Sequence, residues 1–311
     1  MGTGKRRIGS LEVSLEGLGC NNFGRRLDAA GARSVVEAAL EAGITHFDTA
    51  DVYGVSETFL GQALGARRDD VVVTTKFAMG EMAEGPSGGD ARWVGRACEQ
   101  SLRRLGCQSI DLFLLLWPDG PVPIIDTLAA MNRLIDEGKV REIGCSNFSA
   151  AQLAEAHAAA RDCGLRGFAC VQNEYNLLQR TPQAEVLATC AALKLAFVPF
   201  LPLAMGLLKG RYRQGRPVPS NVCLPAAYDS TDEAFVGEWL AKVEQLALFA
   251  ERHGHSLLEL ALSWLACNDQ IASVIAGAMT AAQVRENVAA TTAWKLDAAE
   301  LAEVDRLTAD A

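Results

Sequence analysis

The sequence GITHFDTADVYG, residues 43–54, and the strand-like VVVTTK, residues 71–76, are the most informative stretches of this chain. Asp48 ends the first β-pattern, Tyr53 follows five residues later in a loop, and Lys76 ends the second β-pattern. A lysine ammonium beside a tyrosine favours the phenolate and lowers the pKa of the phenol, and a buried aspartate keeps the lysine charged. The two stretches therefore predict one proton-handling unit made of Asp48, Tyr53 and Lys76.

Short β-rich runs alternate with amphipathic helical runs on both sides of these stretches, at an average spacing of roughly 39 residues for eight units. The predicted strands are residues 15–19, 45–48, 71–76, 110–116, 141–146, 168–173, 195–200 and 271–277. An open doubly wound sheet is the alternative, but it normally carries a GxGxxG turn after its first strand, and this chain has none. The pattern predicts an α/β fold, a (β/α)8 TIM barrel, as a single domain over residues 1–311.

Three further segments complete this prediction. KRRIGSLEVS, residues 5–14, predicts a β-hairpin that plugs the N-terminal end of the barrel. Residues 78–90 and 210–233 are longer than ordinary βα loops and are expected on the C-terminal face, where barrel chemistry lies. A helix-starting side chain followed three residues later by Gln or Glu predicts a capping box. Four such starts occur, at Ser149, Ser256, Thr280 and Asp297.

Composition argues against several classes of protein. The formal net charge of −9 disfavours a nucleic-acid partner, and no run of about 18 apolar residues predicts a membrane span. The basic N-terminus lacks the apolar stretch of a secretory signal, so a cytoplasmic protein is expected. Nine cysteines without a CxxC pair indicate reduced thiols. No His/Cys/Asp cluster has metal-ligand spacing, so no metal site is predicted, and the oligomeric state is not indicated.

Several ordered motifs resemble the aldo-keto reductase family over essentially the whole chain. Besides FDTADVYG, they are SNFS at 146–149, VQNEYNLLQR at 171–180, FLPLAMGLLKGRY at 200–212 and SVIAGAMTAAQVREN at 273–287. The resemblance implies hydride transfer between a carbonyl and an alcohol, with Tyr53 as the proton donor or acceptor. It implies NADP(H) as the cofactor, with NAD(H) as the alternative, and a small carbonyl or alcohol compound as the substrate.

The resemblance also implies which residues hold the cofactor. Tyr175 would stack on the nicotinamide ring, while Ser146, Asn147 and Gln172 would hydrogen-bond its carboxamide. The pyrophosphate segment and the adenosine end would use Leu201, Pro202, Leu203, Gly206, Lys209, Arg211, Gly277, Gln283, Glu286 and Asn287. Many relatives have Lys and Arg where this chain has Gly277 and Gln283. Arg285 is expected to take the place of these basic residues if it faces inward.

The chain departs from the family at Leu116 in DLFLLLWPD, where a histidine that hydrogen-bonds the substrate carbonyl is usual. His46 lies deeper on the same strand face as Asp48 and is interpreted as a core histidine. The expected pocket walls are Asn22, Phe23, Phe77, Leu116 and Trp117, which favour a moderately apolar substrate. Three hypotheses stay open: a reductase of activated carbonyls, an oxidoreductase of another class such as sugar derivatives, and a cofactor-binding sensor or regulatory subunit. The intact trio favours an enzyme.

Overall fold

The computed structural model describes residues 4–77, 88–211, 213 and 233–309, the last range with its side chains from residue 239 onward. The strands are β1 Lys5–Ile8, β2 Leu11–Ser14, β3 Glu16–Gly19, β4 His46–Asp48, β5 Val72–Phe77, β6 Ile110–Leu115, β7 Val140–Ser146, β8 Cys170–Glu174, β9 Ala196–Phe200 and β10 Val274–Gly277. The helices are α1 Ala29–Glu41, α2 Ser56–Leu64, α3 Ala91–Leu105, α4 Ile124–Asp136, α5 Ala150–Asp162, α6 Val186–Leu193, α7 Glu233–Arg252, α8 Leu257–Ala266, α9 Ala281–Thr291 and α10 Ala298–Thr308.

Strands β3 to β10 close into one parallel barrel in which each strand pairs with the next and β10 returns to β3. The predicted TIM barrel is therefore confirmed, with all eight strands within a few residues of their predicted bounds. The largest difference is at β10, which begins at Val274 because Ile271 makes only an isolated bridge to Phe197. Because all eight strands are parallel, their C-terminal ends form one mouth, where Asp48 and Lys76 lie.

The N-terminal hairpin plugs the other end of the barrel, as predicted. Strands β1 and β2 pair antiparallel, and Ile8, Leu11 and Val13 are fully or almost fully buried. These side chains pack in one cluster with inward-facing residues near the strand starts, including Val72 and Leu112. The hairpin thus closes the barrel interior at its N-terminal end, opposite the mouth.

Alternation along each strand separates an inner layer from an outer layer. On β6, Leu112 and Leu114 belong to the inner cluster with the hairpin, while Phe113 and Leu115 belong to the cluster beneath the helices. Such alternation is the rule for barrel strands, because successive side chains point to opposite faces. It decides which residues at the strand ends reach the mouth.

Three of the four predicted capping boxes are complete. Ser149, Ser256 and Asp297 each accept the N–H three residues on, and the Gln or Glu at that position accepts the N–H of the cap. Thr280 caps the N–H of Gln283, but the Gln283 side chain accepts the N–H of Met279 instead, at 2.8 Å. The start of α9 therefore has a one-sided cap.

Most of the two predicted long loops lies outside the described residues. Among the helices within the described ranges, none has the length and apolar character that a membrane crossing requires. Over the same ranges, no group of three or more His, Cys, Asp or Glu side chains is arranged to hold a metal ion.

Candidate active site

Asp48 and Lys76 form a buried ion pair at the ends of the neighbouring strands β4 and β5. Lys76 Nζ donates to Asp48 Oδ2 at 2.6 Å and to the backbone oxygen of Thr49 at 2.9 Å. Lys76 is 1% exposed and Asp48 4%. Burial lowers the pKa of Lys76, but Asp48 and Tyr53 raise that pKa by more, and the net direction is upward. The ammonium is therefore charged at neutral pH.

Tyr53 lies half-buried above this pair, with its ring centroid 5.5 Å from Lys76 Nζ. The charge of Lys76 lowers the pKa of Tyr53, but burial and the nearby Asp48, Cys20 and Asp51 together raise it more, so the net pKa is raised. The expectation of a lowered pKa is wrong for the protein as the structure describes it. At neutral pH the phenol keeps its proton, which is the form that can donate one.

The three residues expected to bind the carboxamide meet in one hydrogen-bonded group. Ser146 Oγ donates to the backbone oxygen of Gln172 at 2.6 Å, and Asn147 Nδ2 donates to the backbone oxygen of Leu116 at 2.9 Å. Asn147 has φ +62°, a left-handed conformation that is uncommon outside glycine and concentrates at functional sites. Gln172 Nε2 donates to Asp48 Oδ1 at 2.8 Å. The structure thus joins this group directly to Asp48, which is itself paired with Lys76.

Leu116 follows β6, is half-buried, and packs against the outer hydrophobic cluster although its position in the count matches that of Leu112 and Leu114. Its side chain has no hydrogen-bonding group to offer a substrate oxygen. His46 does not replace the missing imidazole: it is fully buried, and its Nε2 lies 2.7 Å from Thr74 Oγ1. Burial lowers the pKa of His46 to about 4, so the ring is neutral. The interpretation of His46 as a core histidine is supported, although its Nδ1 is buried without a hydrogen-bond partner.

Tyr175 does not lie at the mouth, and its predicted stacking on the nicotinamide is wrong. It is 2% exposed, its ring packs edge-on against Phe197 and tilted against Trp264, and its hydroxyl donates to Gln183 Oε1 at 2.9 Å. Gln172 points inward and Tyr175 lies three residues later, so alternation places Tyr175 on the outer face. That face packs against helix α8.

Phe200 is the aromatic residue that the sequence interpretation missed. It is the last residue of β9, pairs with Glu174 and Ile275, and is half-buried. It shares the parity of Val198, which lies in the inner cluster, whereas Phe197 lies in the outer one. Because side chains two positions apart on a strand point to the same face, the inward position of Val198 predicts that Phe200 also points inward, at the mouth.

The prediction is also wrong for two of the residues expected to line the pocket. Phe77 has no exposed surface and stacks on Phe113 in the outer layer, with ring centroids 4.5 Å apart. Phe23 has no exposed surface either and belongs to the same outer cluster. Asn22 is half-buried, with its backbone oxygen accepting the turn N–H groups of residues 25–27 and its Nδ2 close to Gly277. Trp117 is 48% exposed beside Leu116 and remains a candidate wall.

The segment after β9 has an unusual backbone. Leu201, Ala204 and Met205 have φ values of +51°, +45° and +54°, and Gly206 has +106°. Left-handed conformations at three non-glycine residues cost free energy and mark segments that the surrounding structure holds in place. Successive turns of this kind expose backbone N–H groups to anions. Pro202 and Leu203 are buried within the same segment.

Lys209 and Arg211 bring positive charge to this segment, as expected. Burial lowers the pKa of Lys209, Arg211 lowers it further, and Glu286 on α9 raises it, so the three charged groups lie within electrostatic range of one another. The strained segment therefore lies near the middle of α9, at one edge of the mouth. Asn287 is buried on the same helix.

Arg285 faces away from this edge. Its guanidinium donates to Glu41 Oε2 of α1 at 3.1 Å on the protein surface. The expectation that it replaces the missing basic residues is not supported. Among the described residues, Lys209 and Arg211 are cations within electrostatic range of Glu286 on α9.

A second polar cluster, also missed, fixes the Tyr53 loop from outside the barrel. Glu57 is fully buried and accepts from Thr75 Oγ1 at 2.6 Å and from Arg104 Nε at 2.5 Å. Thr75 precedes Lys76, and Glu57 follows Tyr53 by four residues, so this carboxylate ties the tyrosine loop to the lysine strand and to α3. On the same loop, burial and the charge of Glu57 raise the pKa of Asp51 to about 6.

The residues at the mouth fit a nicotinamide dinucleotide. Gln172, Asn147 and Ser146 supply amide and hydroxyl groups of the kind that a carboxamide needs, and Phe200 supplies a flat apolar surface beside them. Lys209 and Arg211 supply cations for phosphate groups. This donor set combines neutral hydrogen-bonding groups with cations, which matches the two chemically different ends of such a cofactor.

Comparisons with known proteins identify the family of this chain. The model of the Aldo/keto reductase family matches residues 17–309, and the chain belongs to that family. A relative described as "Probable voltage-gated potassium channel subunit beta" from Oryza sativa subsp. japonica is 36% identical over 275 residues, covering 86% of this chain and 84% of the relative. A protein with the same description from Arabidopsis thaliana is 34% identical with the same coverage.

Proposed function

We propose that this protein is an NADP(H)-dependent oxidoreductase that interconverts a carbonyl and an alcohol. The observation that carries the proposal is the charged Lys76, held by Asp48 beneath the Tyr53 ring and connected through Gln172 to the group that fits a carboxamide. When bound, NADP(H) supplies the hydride for reduction or accepts it in oxidation. The protein supplies the proton and the geometry.

Tyr53 donates its phenolic proton to the oxygen of the reduced carbonyl, which leaves a phenolate. Lys76 stabilises that phenolate, because two of its three N–H donors are taken by Asp48 and Thr49 and one remains for Tyr53. In the oxidation direction the phenolate takes the proton of the alcohol. The raised pKa of Tyr53 keeps the proton in place until the phenolate is needed.

The surroundings of the mouth favour an apolar substrate over a sugar. Most of the large hydrophobic side chains that are well exposed in the described ranges lie on loops after β4, β6 and β9. They are Val52, Val55, Trp117 and Met205. Leu116 gives no second donor to the substrate oxygen, and a missing donor of this kind commonly costs about 10²–10³ in rate. We therefore propose a moderately apolar carbonyl that is polarised by its own substituents.

The first test measures NADPH binding by fluorescence and the reduction of a panel of aldehydes, ketones and sugars. Tyr53→Phe should reduce turnover by about 10²–10⁴, the contribution of a positioned proton donor. Tyr175→Phe is the matched control, because this hydroxyl lies in the outer layer, and it should stay within a few-fold of wild type. Equal turnover in wild type and Tyr53→Phe would exclude Tyr53 as the donor.

A second candidate is an NADP(H)-binding regulatory subunit or redox sensor on the same fold. It is favoured by Leu116 at a donor position and by the two relatives described as channel subunits. Here wild type would bind NADPH tightly without turnover on any substrate, and Leu116→His would create generic aldehyde reduction. If wild type turns over the best substrate faster than Leu116→His does, the protein is the specialised enzyme and not the regulatory subunit.

A further inference from the structure

Gln172 and Asp48 are joined across the whole width of the barrel. Strands β4 and β8 stand four places apart in the ring of eight, so they face each other through the interior. Gln172 Nε2 nevertheless reaches Asp48 Oδ1 at 2.8 Å, and both side chains are almost completely buried. Asp48 Oδ2 accepts from Lys76 at 2.6 Å, and Lys76 lies beneath Tyr53. A hydrogen-bonded chain thus runs from Gln172 on β8 through Asp48 to Lys76, whose Nζ lies 5.5 Å from the centroid of the Tyr53 ring.

The chemistry of Asp48 fixes the orientation of the Gln172 amide. An ionised carboxylate only accepts hydrogen bonds, so the NH2 side of the amide must face it. The carbonyl oxygen Oε1 then points away from Asp48 and is left to accept from another donor. A primary carboxamide offers such a donor in its own NH2 group. Gln172 can therefore contact a carboxamide and Asp48 at the same time, through opposite ends of one amide.

We propose that Gln172 is a positioning residue that couples occupancy of the carboxamide site to the proton chemistry of Tyr53, acting through Asp48 and Lys76. The inference rests on the proposed function. Hydrogen bonds in series polarise one another, so a donor on Oε1 strengthens the bond from Nε2 to Asp48. A better-satisfied Asp48 carboxylate attracts Lys76 less, and more of the ammonium charge then stabilises the Tyr53 phenolate. The phenol becomes a stronger acid when the cofactor is present.

The test follows ionisation of Tyr53 by phenolate absorbance, using the Tyr53→Phe protein as the background. The titration is run without ligand and with NADP⁺. Gln172→Met removes the donor while keeping the chain length, and it should raise the apparent pKa of Tyr53 by about 0.5–1 unit even without ligand. Ser146→Ala is the matched control, because the Ser146 hydroxyl donates to the backbone oxygen of Gln172 and accepts from Asn147 Nδ2, so its loss leaves the Gln172 side chain bonded to Asp48. It should weaken NADP⁺ binding and leave the ligand-free titration unchanged.

Wild type should show a lower Tyr53 titration midpoint with NADP⁺ than without it, and Gln172→Met should lose this ligand-linked shift. At saturating NADPH, kcat of Gln172→Met should fall about three- to tenfold, with the alkaline limb of its pH profile moved upward. Gln172→Glu, which sets a second carboxyl against Asp48, is the second variant if Gln172→Met does not fold. It should move the ligand-free titration in the same direction.

Two results separate failure of this inference from failure of the proposed function. If wild type binds NADPH and turns over substrate, but Gln172→Met and Gln172→Glu keep the wild-type titration and pH profile and change only the Kd, Gln172 is a cofactor contact alone and the coupling is refuted. If wild type binds no nicotinamide cofactor, the proposed function itself fails.

Discussion

Replacing Lys76 by methionine removes the charge on which the site depends and leaves the shape of the side chain nearly unchanged. In the folded protein, Asp48 then keeps only its bond from Gln172, and the Thr49 backbone oxygen loses its donor. Both ionised groups of the pair are almost fully buried, so water cannot replace the missing partner. We expect Lys76→Met to be strongly destabilised as well as inactive.

The expected loss in the free energy of unfolding follows from the distance between Lys76 Nζ and Asp48 Oδ2. Two unit charges 2.6 Å apart attract by about 6 kcal/mol at an effective dielectric constant near 20. Part of this attraction only offsets the cost of burying the ammonium, which is several kcal/mol and which the variant no longer bears. Breaking one partner of a buried pair leaves a net loss of about 3–5 kcal/mol.

The assay is urea unfolding monitored by circular dichroism at neutral pH. Lys295→Met is the control, because Lys295 is exposed on the surface and the same substitution should change the free energy of unfolding by less than about 0.5 kcal/mol. The double variant Asp48→Asn/Lys76→Met should recover part of the loss, since no buried charge remains unpaired. A loss below about 1 kcal/mol in Lys76→Met would refute the reasoning, because it would mean that the pair is hydrated.

Three further predictions concern other parts of the molecule. Burial raises the pKa of Glu16 to about 8 from an ordinary 4.5, so the folded state holds a proton that the unfolded chain releases, and the free energy of unfolding should decline between about pH 4.5 and 8. In Glu16→Gln, the free energy of unfolding from urea titrations should depend less on pH over this range. A pH dependence equal to that of wild type would contradict the prediction. Arg104→Met should lower the free energy of unfolding by about 2–4 kcal/mol, because it leaves the buried Glu57 carboxylate unpaired. The double variant Glu57→Gln/Arg104→Met should recover part of this loss, and additive losses of the two single variants would contradict the pairing. Phe200→Ala should weaken NADPH binding by roughly 3- to 10-fold in fluorescence titrations, while Tyr175→Phe leaves it unchanged, and the reverse order would restore Tyr175 as the stacking ring.

Stabilisation of the site comes from two layers of the barrel. Inside, Asp48, Lys76 and Gln172 bond to one another across the interior. Outside, Glu57 links the tyrosine loop, the lysine strand and α3 through Thr75 and Arg104. The two layers meet at β5, where Thr75 and Lys76 are adjacent and face opposite sides. The loop that carries Tyr53, the proposed proton donor, is therefore fixed from both faces of the sheet.

The sequence by itself determined the elements of the fold, because strand and helix patterns, capping signals and short motifs are local properties. It placed eight strands, the hairpin, the trio of Asp48, Tyr53 and Lys76, and the substitution at Leu116. The sequence also contains the information that places Phe200 at the mouth and Tyr175 outside it, because side chains alternate between the two faces of a strand. The resemblance of residues 171–180 to the family motif favoured Tyr175 instead.

Only the tertiary structure decided how these elements act on one another. The bond between Gln172 and Asp48 exists because barrel closure sets β8 opposite β4, although the two residues are 124 positions apart in the chain. The pKa of Tyr53 moves upward because burial and three further groups together outweigh the charge of Lys76. Arg285 is engaged by Glu41 because α9 and α1 pack side by side. Desolvation and through-space charge depend on where distant segments meet, and no local pattern records that.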